Sequence, residues 1–218
     1  VRAAGQAFLD MRERIQRHLK QRTMILSGVS HDLRTPITRL KLGLSLLPKE
    51  QREPLEKDVE DMNLLLNEFL DFAKFENETD VPAEDTNPSL LVDDLIENFS
   101  RTDVKIERIG ECANTTFKLK PFAIKRALEN LINNANRYGK QILIEKKIED
   151  YFLILSVHDD GPGIDESLHD EVLQPFTRLD PSRNQNKGSG VGLGLPIAKE
   201  IAEGHGGVLK LSRSSHLN

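Results

Sequence analysis

The chain predicts two units of different class, α followed by α+β: a helical hairpin, then a sheet layered with helices. Three observations carry this. Apolar residues recur at three- to four-residue steps from about Gly5 to Leu47 and again from Leu55 to Phe75. An acidic, proline-bearing stretch (ENETDVPAEDTNP, residues 76–88) then breaks the pattern, and beyond it short alternating runs mix with helical ones. At 218 residues there is enough chain for two small domains, each burying a modest core.

The first stripe runs through Phe8, Met11, Ile15, Leu19, Ile25 or Leu26, Val29, Leu33, Ile37, Leu40, Leu44 and Leu47, interrupted only by Gly28, Pro36 and Gly43. It reads as one long helix, bent near Pro36, which lacks the N–H that would bond the Asp32 carbonyl. Residues 48–54 (PKEQREP) read as a turn, with Pro54 at the first position of the second helix. Leu55, Val59, Met62, Leu65 or Leu66, Phe69 and Phe72 carry that helix to about Phe75, so the two should pair antiparallel. A hairpin cannot bury its stripes on both sides, and two chains forming a four-helix bundle would, so a homodimer is expected. The organisation is therefore 1–20 as an upstream stretch of the same helical stripe, 21–76 as the dimerising hairpin, 77–88 as linker and 89–218 as the second domain.

Within that second domain the expected order is a helix from about Pro88 to Ser100, strands at Val104–Ile109 and near Thr115–Leu119, and a helix from Pro121 to about Tyr138. A β-hairpin follows, Ile142–Ile148 and Phe152–His158 around Glu149, Asp150 and Tyr151. After a glycine-punctuated loop come a helix from Leu193 to Gly204 and a strand at Val208–Ser212. Strands and helices that do not strictly alternate imply a sheet with helices on one face.

A formal net charge of −5 argues against a sequence-independent nucleic-acid binder, and Lys140, Lys146 and Lys147 read as solvated strand edges. The single Cys112 cannot form an intramolecular disulfide, which suits a reducing cytosol, and zinc is unsupported as well. No run of 18 apolar residues and no signal peptide is present, so the chain as written reads as soluble. It begins at Val1, inside a helical pattern, and is expected to be an excerpt whose missing part holds any membrane segments.

Four clusters carry chemistry. Ser30-His31-Asp32-Leu33-Arg34-Thr35-Pro36 puts an imidazole, a carboxylate and a hydroxyl within one helical turn: His31 and Thr35 share a face, and Asp32 can reach the imidazole from the side. Imidazole is nucleophilic near neutral pH when one nitrogen is unprotonated, and a carboxylate at the other nitrogen holds the tautomer. Asn130 and Asn134 project from one helix face, with Arg137 and Tyr138 a turn further on, and amide oxygens suit Mg²⁺. Asp159-Asp160-Gly161-Pro162-Gly163 ends a strand, where a carboxylate can accept an exocyclic amine and the glycines admit a planar base. Gly188-Ser189-Gly190-Val191-Gly192-Leu193-Gly194-Leu195 precedes a helix and can present backbone N–H groups to phosphate. The stretch between Gly163 and Gly188 is long enough to be a lid.

The string SHDLRTP resembles the H box of bacterial sensor histidine kinases, and SGVSHDLRTPITRLKLGL resembles their EnvZ-like osmosensor subgroup. ENLINNANRYG is similar to the N box, DDGPG to the G1 box, Pro175-Phe176-Thr177-Arg178 to the F box and GSGVGLGL to the G2 box, all in the family order. The resemblance implies an α/β-sandwich ATP-binding domain of the Hsp90, gyrase, MutL and histidine-kinase superfamily behind a dimerising phosphotransfer hairpin. It implies His31 as phosphoryl acceptor, Asp32 as its base or orienting group, Arg34 as part of the catalytic cluster and Thr35 as the residue positioning water for dephosphorylation of the regulator. Asn134 would ligate Mg²⁺, Asn130 would support the triphosphate, and Arg137 and Tyr138 would line the pocket. Asp160 would read adenine beside Gly161 and Gly163. Phe176 would anchor the lid, Arg178 would approach phosphate, and Gly188, Gly190, Gly192, Gly194 and Leu195 would cradle the phosphates. ATP and Mg²⁺ are the implied cofactors, and a response-regulator receiver domain the implied partner. The domain would swing on its linker to bring ATP to His31. The implied location is the cytoplasmic portion of a bacterial inner-membrane protein. An ATP-driven clamp would leave SHDLRTP unexplained, and a non-catalytic docking adaptor would leave the intact ATP-site residues unexplained.

Overall fold

The computed structural model describes residues 2–75, 81–100, 104–110, 115–177, 179 and 192–217. The chain divides into two compact units between Asp80 and Val81.

The first unit is the helical hairpin, α1 (Arg2–Leu44) and α2 (Lys49–Phe75). α1 runs unbroken through Pro36. Its last turn tightens, with the N–H groups of Leu46 and Leu47 donating to the carbonyls of Gly43 and Leu44, and Ser45 Oγ donating to the Leu42 carbonyl. The connection is shorter than expected. The Pro48 carbonyl already accepts from Gln51 and Arg52, so α2 starts at Lys49 and Pro54 lies inside it rather than at its first position. Pro54 is the sixth residue of α2, past the first turn, so its missing N–H takes the i→i−4 donor from the Glu50 carbonyl, while the pairs Lys49–Glu53 (3.5 Å) and Arg52–Glu56 (3.4 Å) reinforce the same turns. Arg34 reaches Asn67 at 3.4 Å and Lys41 reaches Glu60 at 3.7 Å: as α1 advances α2 retreats, the register of an antiparallel pair. Ser30, Ile37 and Val59 are buried, whereas Phe8, Met11, Ile15, Ile25, Val29, Leu33, Leu40, Leu55, Met62 and Leu65 of the apolar stripes stay exposed.

The second unit contains β1 (Glu84–Thr86), α3 (Pro88–Ser100), β2 (Ile106–Ile109), β3 (Phe117–Leu119), α4 (Pro121–Tyr138), β4 (Ile142–Glu149), β5 (Phe152–Asp159), a 3-10 turn (Glu166–Leu168), α5 (His169–Val172) and α6 (Gly194–Gly204). In the main sheet β4 is central, parallel to β2 and antiparallel to β5. One face of that sheet packs on helices: Ile142 and Ile144 meet Val92 and Leu95 of α3 and Leu128, Ile132 and Ala135 of α4, with Leu155 and Val157 at the edge. Asn87 Oδ1 accepts the Ser89 N–H at 2.9 Å and so caps α3, with Pro88 at the first position. α4 also opens on a proline, and the Lys120 N–H in front of it donates to His205 Nε2 at 3.0 Å, tying the start of α4 to the end of α6.

Three expectations are corrected. The stretch taken as linker over 77–88 ends in structure: β1 pairs antiparallel with β3, Glu84 opposite Leu119, and Lys118 meets Asp85 at 2.9 Å. Its polar composition suits a short exposed edge pair whose partner is distant in sequence. Lys146 is not a solvated edge residue but 3% exposed, with its ammonium donating to Ser89 Oγ at 2.6 Å. It lies on the helix-covered face, opposite Leu155. Val208–Ser212 forms no strand, because its alternating side chains find no backbone ladder among the described residues.

Glu149 pairs directly with Phe152, so the β4–β5 loop has two residues, Asp150 (φ +46°) and Tyr151 (φ +71°). Two successive positive φ angles match the right-handed twist of a hairpin, but a β-carbon resists them, and Tyr151 is fully exposed with no packing to compensate. Tyr151→Gly is therefore expected to stabilise the domain by about 1 kcal/mol, read as a higher urea midpoint at unchanged slope.

Candidate functional site

The hairpin presents its cluster outward. Ser30 and Ile37, two turns apart, take the buried side of α1, which turns His31, Asp32 and Thr35 to solvent. His31 Nδ1 stands 3.6 Å from Asp32 Oδ1, and their side chains are 81% and 87% exposed. A carboxylate there orients the Nδ1 side of the ring and leaves Nε2 open. Thr35 is exposed one turn further on, whereas the Arg34 guanidinium turns to Asn67 of α2, a contact across the hairpin.

The second cluster forms where α4, α6 and the end of β5 meet. Asn130 and Asn134 are half-buried on α4. A β-carbon at Gly194 would stand 3.6 Å from Asn130 Oδ1, so the N-terminus of α6 lies against this asparagine. Leu193 is fully buried and Leu195 half-buried at the same helix start. Gly192 adopts φ +77°, and a β-carbon there would fall 2.4 Å from the Thr177 carbonyl oxygen. Only glycine fits, and its carbonyl accepts the Phe176 N–H at 3.1 Å. The F and G2 segments therefore meet through backbone. The Phe176 ring itself is 55% exposed. Arg178, Gly188 and Gly190 lie outside the described residues. Arg137 is half-buried and Tyr138 exposed at the end of α4. Glu129, beside Asn130, has its carboxyl pushed above the usual range by partial burial, against the pull of Lys125 and Arg126.

The strand register separates the two adjacent carboxylates. Asp159 pairs with Ile142 as Val157 pairs with Ile144, so Asp159 is on the helix-covered face. Its Oδ1 accepts the Gly161 N–H at 2.9 Å, and a β-carbon at Gly161 would meet that oxygen at 2.5 Å and the Tyr138 backbone at 3.2 Å. Gly163, at φ +72°, is open beyond it. Asp160, expected to face the base, turns back instead: its Oδ1 accepts the N–H groups of Lys140 at 2.5 Å and Gln141 at 3.0 Å. Those bonds, Gln141 first and then Lys140, hold its carboxyl below the ordinary range. Asp160 thus fastens the α4–β4 turn, and Asp159 is the carboxylate on the helix-covered face. The two neighbouring aspartates differ in the face they take, and strict alternation from Leu155 and Val157 puts Asp159 on the helix-covered side.

A hairpin with an exposed histidine, followed by a sheet whose strand-end Asp-Gly turn adjoins an asparagine-bearing helix and a glycine-opened one, defines a phospho-acceptor unit joined to an ATP-binding unit. Residues 21–78 match the His Kinase A (phospho-acceptor) domain, and residues 120–217 match the histidine kinase-, DNA gyrase B- and HSP90-like ATPase. The chain belongs to the sensor histidine kinases. It is 37% identical over 210 residues to sensor histidine kinase GtrS of Pseudomonas aeruginosa, covering 95% of this chain and 42% of GtrS. It is 32% identical over 227 aligned positions to sensor protein RstB of Escherichia coli K12, covering 96% and 50%. Full-length ShkA, solved in complex with AMPPNP, shares the fold at TM-score 0.61 and 22% identity over 87% of this chain and 43% of ShkA. The chain thus spans half or less of the length of these proteins. Among the described residues no helix is long and apolar enough to cross a membrane.

Proposed function

We propose that this chain binds ATP in its second unit, phosphorylates His31, and passes the phosphoryl group to an aspartate of a response-regulator receiver domain. The observation that carries the reading is His31 itself: an imidazole 81% exposed, with a carboxylate 3.6 Å from Nδ1 and nothing occupying the opposite edge among the described residues. With Nδ1 turned to Asp32, the Nε2 lone pair attacks the γ-phosphorus, the bond to the β,γ-bridging oxygen breaks, and ADP leaves. The nitrogen's proton bookkeeping falls to Asp32, which stabilises the imidazolium character that develops. Phosphoryl transfer has a loose, charge-spread transition state, so positioning and charge neutralisation supply most of the catalysis.

Asp159 reads the adenine amine in place of Asp160, with Gly161 and Gly163 leaving room for the base. Asn130, Gly192 and Gly194 approach the phosphates, where the start of α6 offers N–H groups. Tyr138, Arg137 and Leu195 line the same pocket. The half-buried amide of Asn134 offers a hard oxygen and fits Mg²⁺, which would neutralise phosphate charge when bound. The exposed apolar stripes of α1 and α2 are the faces on which two chains form a four-helix bundle. Nucleic acid is not a partner. Membrane attachment comes through segments outside this chain, and the unit works on the cytoplasmic side of a bacterial inner membrane.

Incubation with γ-labelled ATP tests the reading. Acid-labile, base-stable label on the protein supports a kinase; released phosphate with no labelled protein would indicate a clamp ATPase, and neither an adaptor. Thr35, exposed one turn from His31, is placed to orient water for the reverse activity. Thr35→Ala is expected to retain autophosphorylation within about twofold while slowing regulator dephosphorylation by about tenfold or more. Equal loss of both would remove Thr35 from that role.

A further inference from the structure

On the face of the main sheet turned away from α3 and α4, three side chains converge that the nucleotide site does not use. The register places Leu143, Glu145 and Lys147 of β4 with His158, Ser156 and Ile154 of β5 on that face, opposite to Ile142, Ile144 and Asp159. His216, from the segment after α6, completes the group. His158 Nε2 lies 3.4 Å from Glu145 Oε2, and His216 Nε2 lies 3.6 Å from Glu145 Oε1. All three ligand atoms fall within 4.8 Å of one another, and the imidazoles meet edge to face with centroids 5.0 Å apart. Ligands held at the distances of a tetrahedral zinc ion stand roughly 3.4 Å from each other; the two histidines meet different oxygens of Glu145, so the group draws together around the ion once one oxygen is its ligand.

The surroundings support the ligands. Ser214 Oγ lies 3.2 Å from His158 Nδ1, which fixes the ring with Nε2 toward Glu145, the outer contact a metal-ligating histidine needs. The same hydroxyl oxygen accepts the N–H groups of His216 at 3.1 Å and Leu217 at 2.9 Å, so it also shapes the backbone that carries the third ligand. Glu145 and His158 are 12% exposed and His216 33%, leaving one open side. Lys147 approaches Glu145 at 3.9 Å, but it also reaches Glu149 at 3.5 Å and can retire there when a cation arrives.

We propose that Glu145, His158 and His216 bind one zinc ion, with water in the fourth position. Two imidazoles and a single carboxylate, without thiolate, favour zinc over the oxygen-seeking Mg²⁺ and Ca²⁺. The ion fastens the Ser214–Leu217 segment to β4 and β5, on the back of the strand whose last residue is Asp159. Separations of this kind carry no spacing motif, and the ligands meet only in the folded domain.

The test uses the whole chain, stripped with chelator, dialysed against Zn²⁺, and read by metal content and thermal melting. The expected result is one retained equivalent and a raised melting temperature, both lost in His216→Ala and in Glu145→Gln. Ser214→Ala is expected to keep the stoichiometry and weaken the affinity about tenfold or more. His216 is exposed enough for its variant to fold, and the metal-free melting curve and circular dichroism check this. Co²⁺ in place of zinc is expected to give the intense visible bands of a tetrahedral site. Failure of the unmodified chain to retain an equivalent would overturn the proposal. Equal retention by His216→Ala would do so too, placing the metal on other histidines such as His18, His31, His169 or His205.

Discussion

Replacing His31 with glutamine is expected to abolish covalent labelling by γ-labelled ATP while leaving ATP affinity unchanged. The expected loss of acid-labile, base-stable label is complete because neither neighbour gives that bond: Asp32 would form a base-labile acyl phosphate, and Thr35 an acid-stable phosphate ester. ATP affinity is expected to persist because His31 belongs to the hairpin unit, whereas the nucleotide-side groups Asn130, Asn134, Asp159 and Gly194 belong to the other. The side chain is almost wholly exposed, so the substitution leaves no cavity and should not change the melting temperature. Measurement pairs acid-quenched labelling with titration of a fluorescent ATP analogue. Label persisting in His31→Gln would move the acceptor elsewhere and remove the central claim of the proposed mechanism.

Asp159→Ala is expected to weaken ATP binding by roughly ten- to a hundredfold, the cost of a hydrogen bond to a charged group, about 1.5–3 kcal/mol. Asp160→Ala is expected to leave affinity within a few-fold and instead to lower stability, since the N–H groups of Lys140 and Gln141 lose their acceptor. The pH dependence has a definite sign. The Asp160 carboxyl is held below its ordinary value of 3.8, chiefly by the Gln141 and Lys140 N–H groups. Its contribution is therefore present above that value and lost as pH falls through the lower folded one. Melting curves across the acid range should show a steeper loss in the unmodified chain than in Asp160→Ala, with the two converging at the acid end. Reversed affinities, with Asp160→Ala the damaging change, would return adenine recognition to Asp160.

Helix α4 was legible along its length, because proline at its first position, a glycine after Tyr138 and an apolar face at helical spacing are all local signals. The strands β4 and β5 were legible within a residue at their ends for the same reason, alternation being a property of neighbours. β1 was not: Glu84, Asp85 and Thr86 look like acidic linker until Phe117–Leu119 is brought alongside, since a strand of three polar residues exists only through its partner. Lys146 shows the same limit in the core. Its type argues for solvent, and in the fold its buried ammonium donates to the Ser89 hydroxyl at the head of α3. Pro54 and the Val208–Ser212 run erred the other way, as local signals of a helix start and a strand that the bonding around them does not follow.

By itself the sequence determined what depends on separations of a few residues: the outward His31-Asp32-Thr35 turn, the Asn130–Asn134 face, the glycines, and the order of the two units. Helical and strand periods set those relations before any tertiary contact forms. Only the tertiary structure showed that Asp160 turns back onto the Lys140 and Gln141 N–H groups, because that contact depends on how the α4–β4 turn packs against the end of β5. It alone brought Glu145, His158 and His216 together, since distance along the chain says nothing about distance through a sheet.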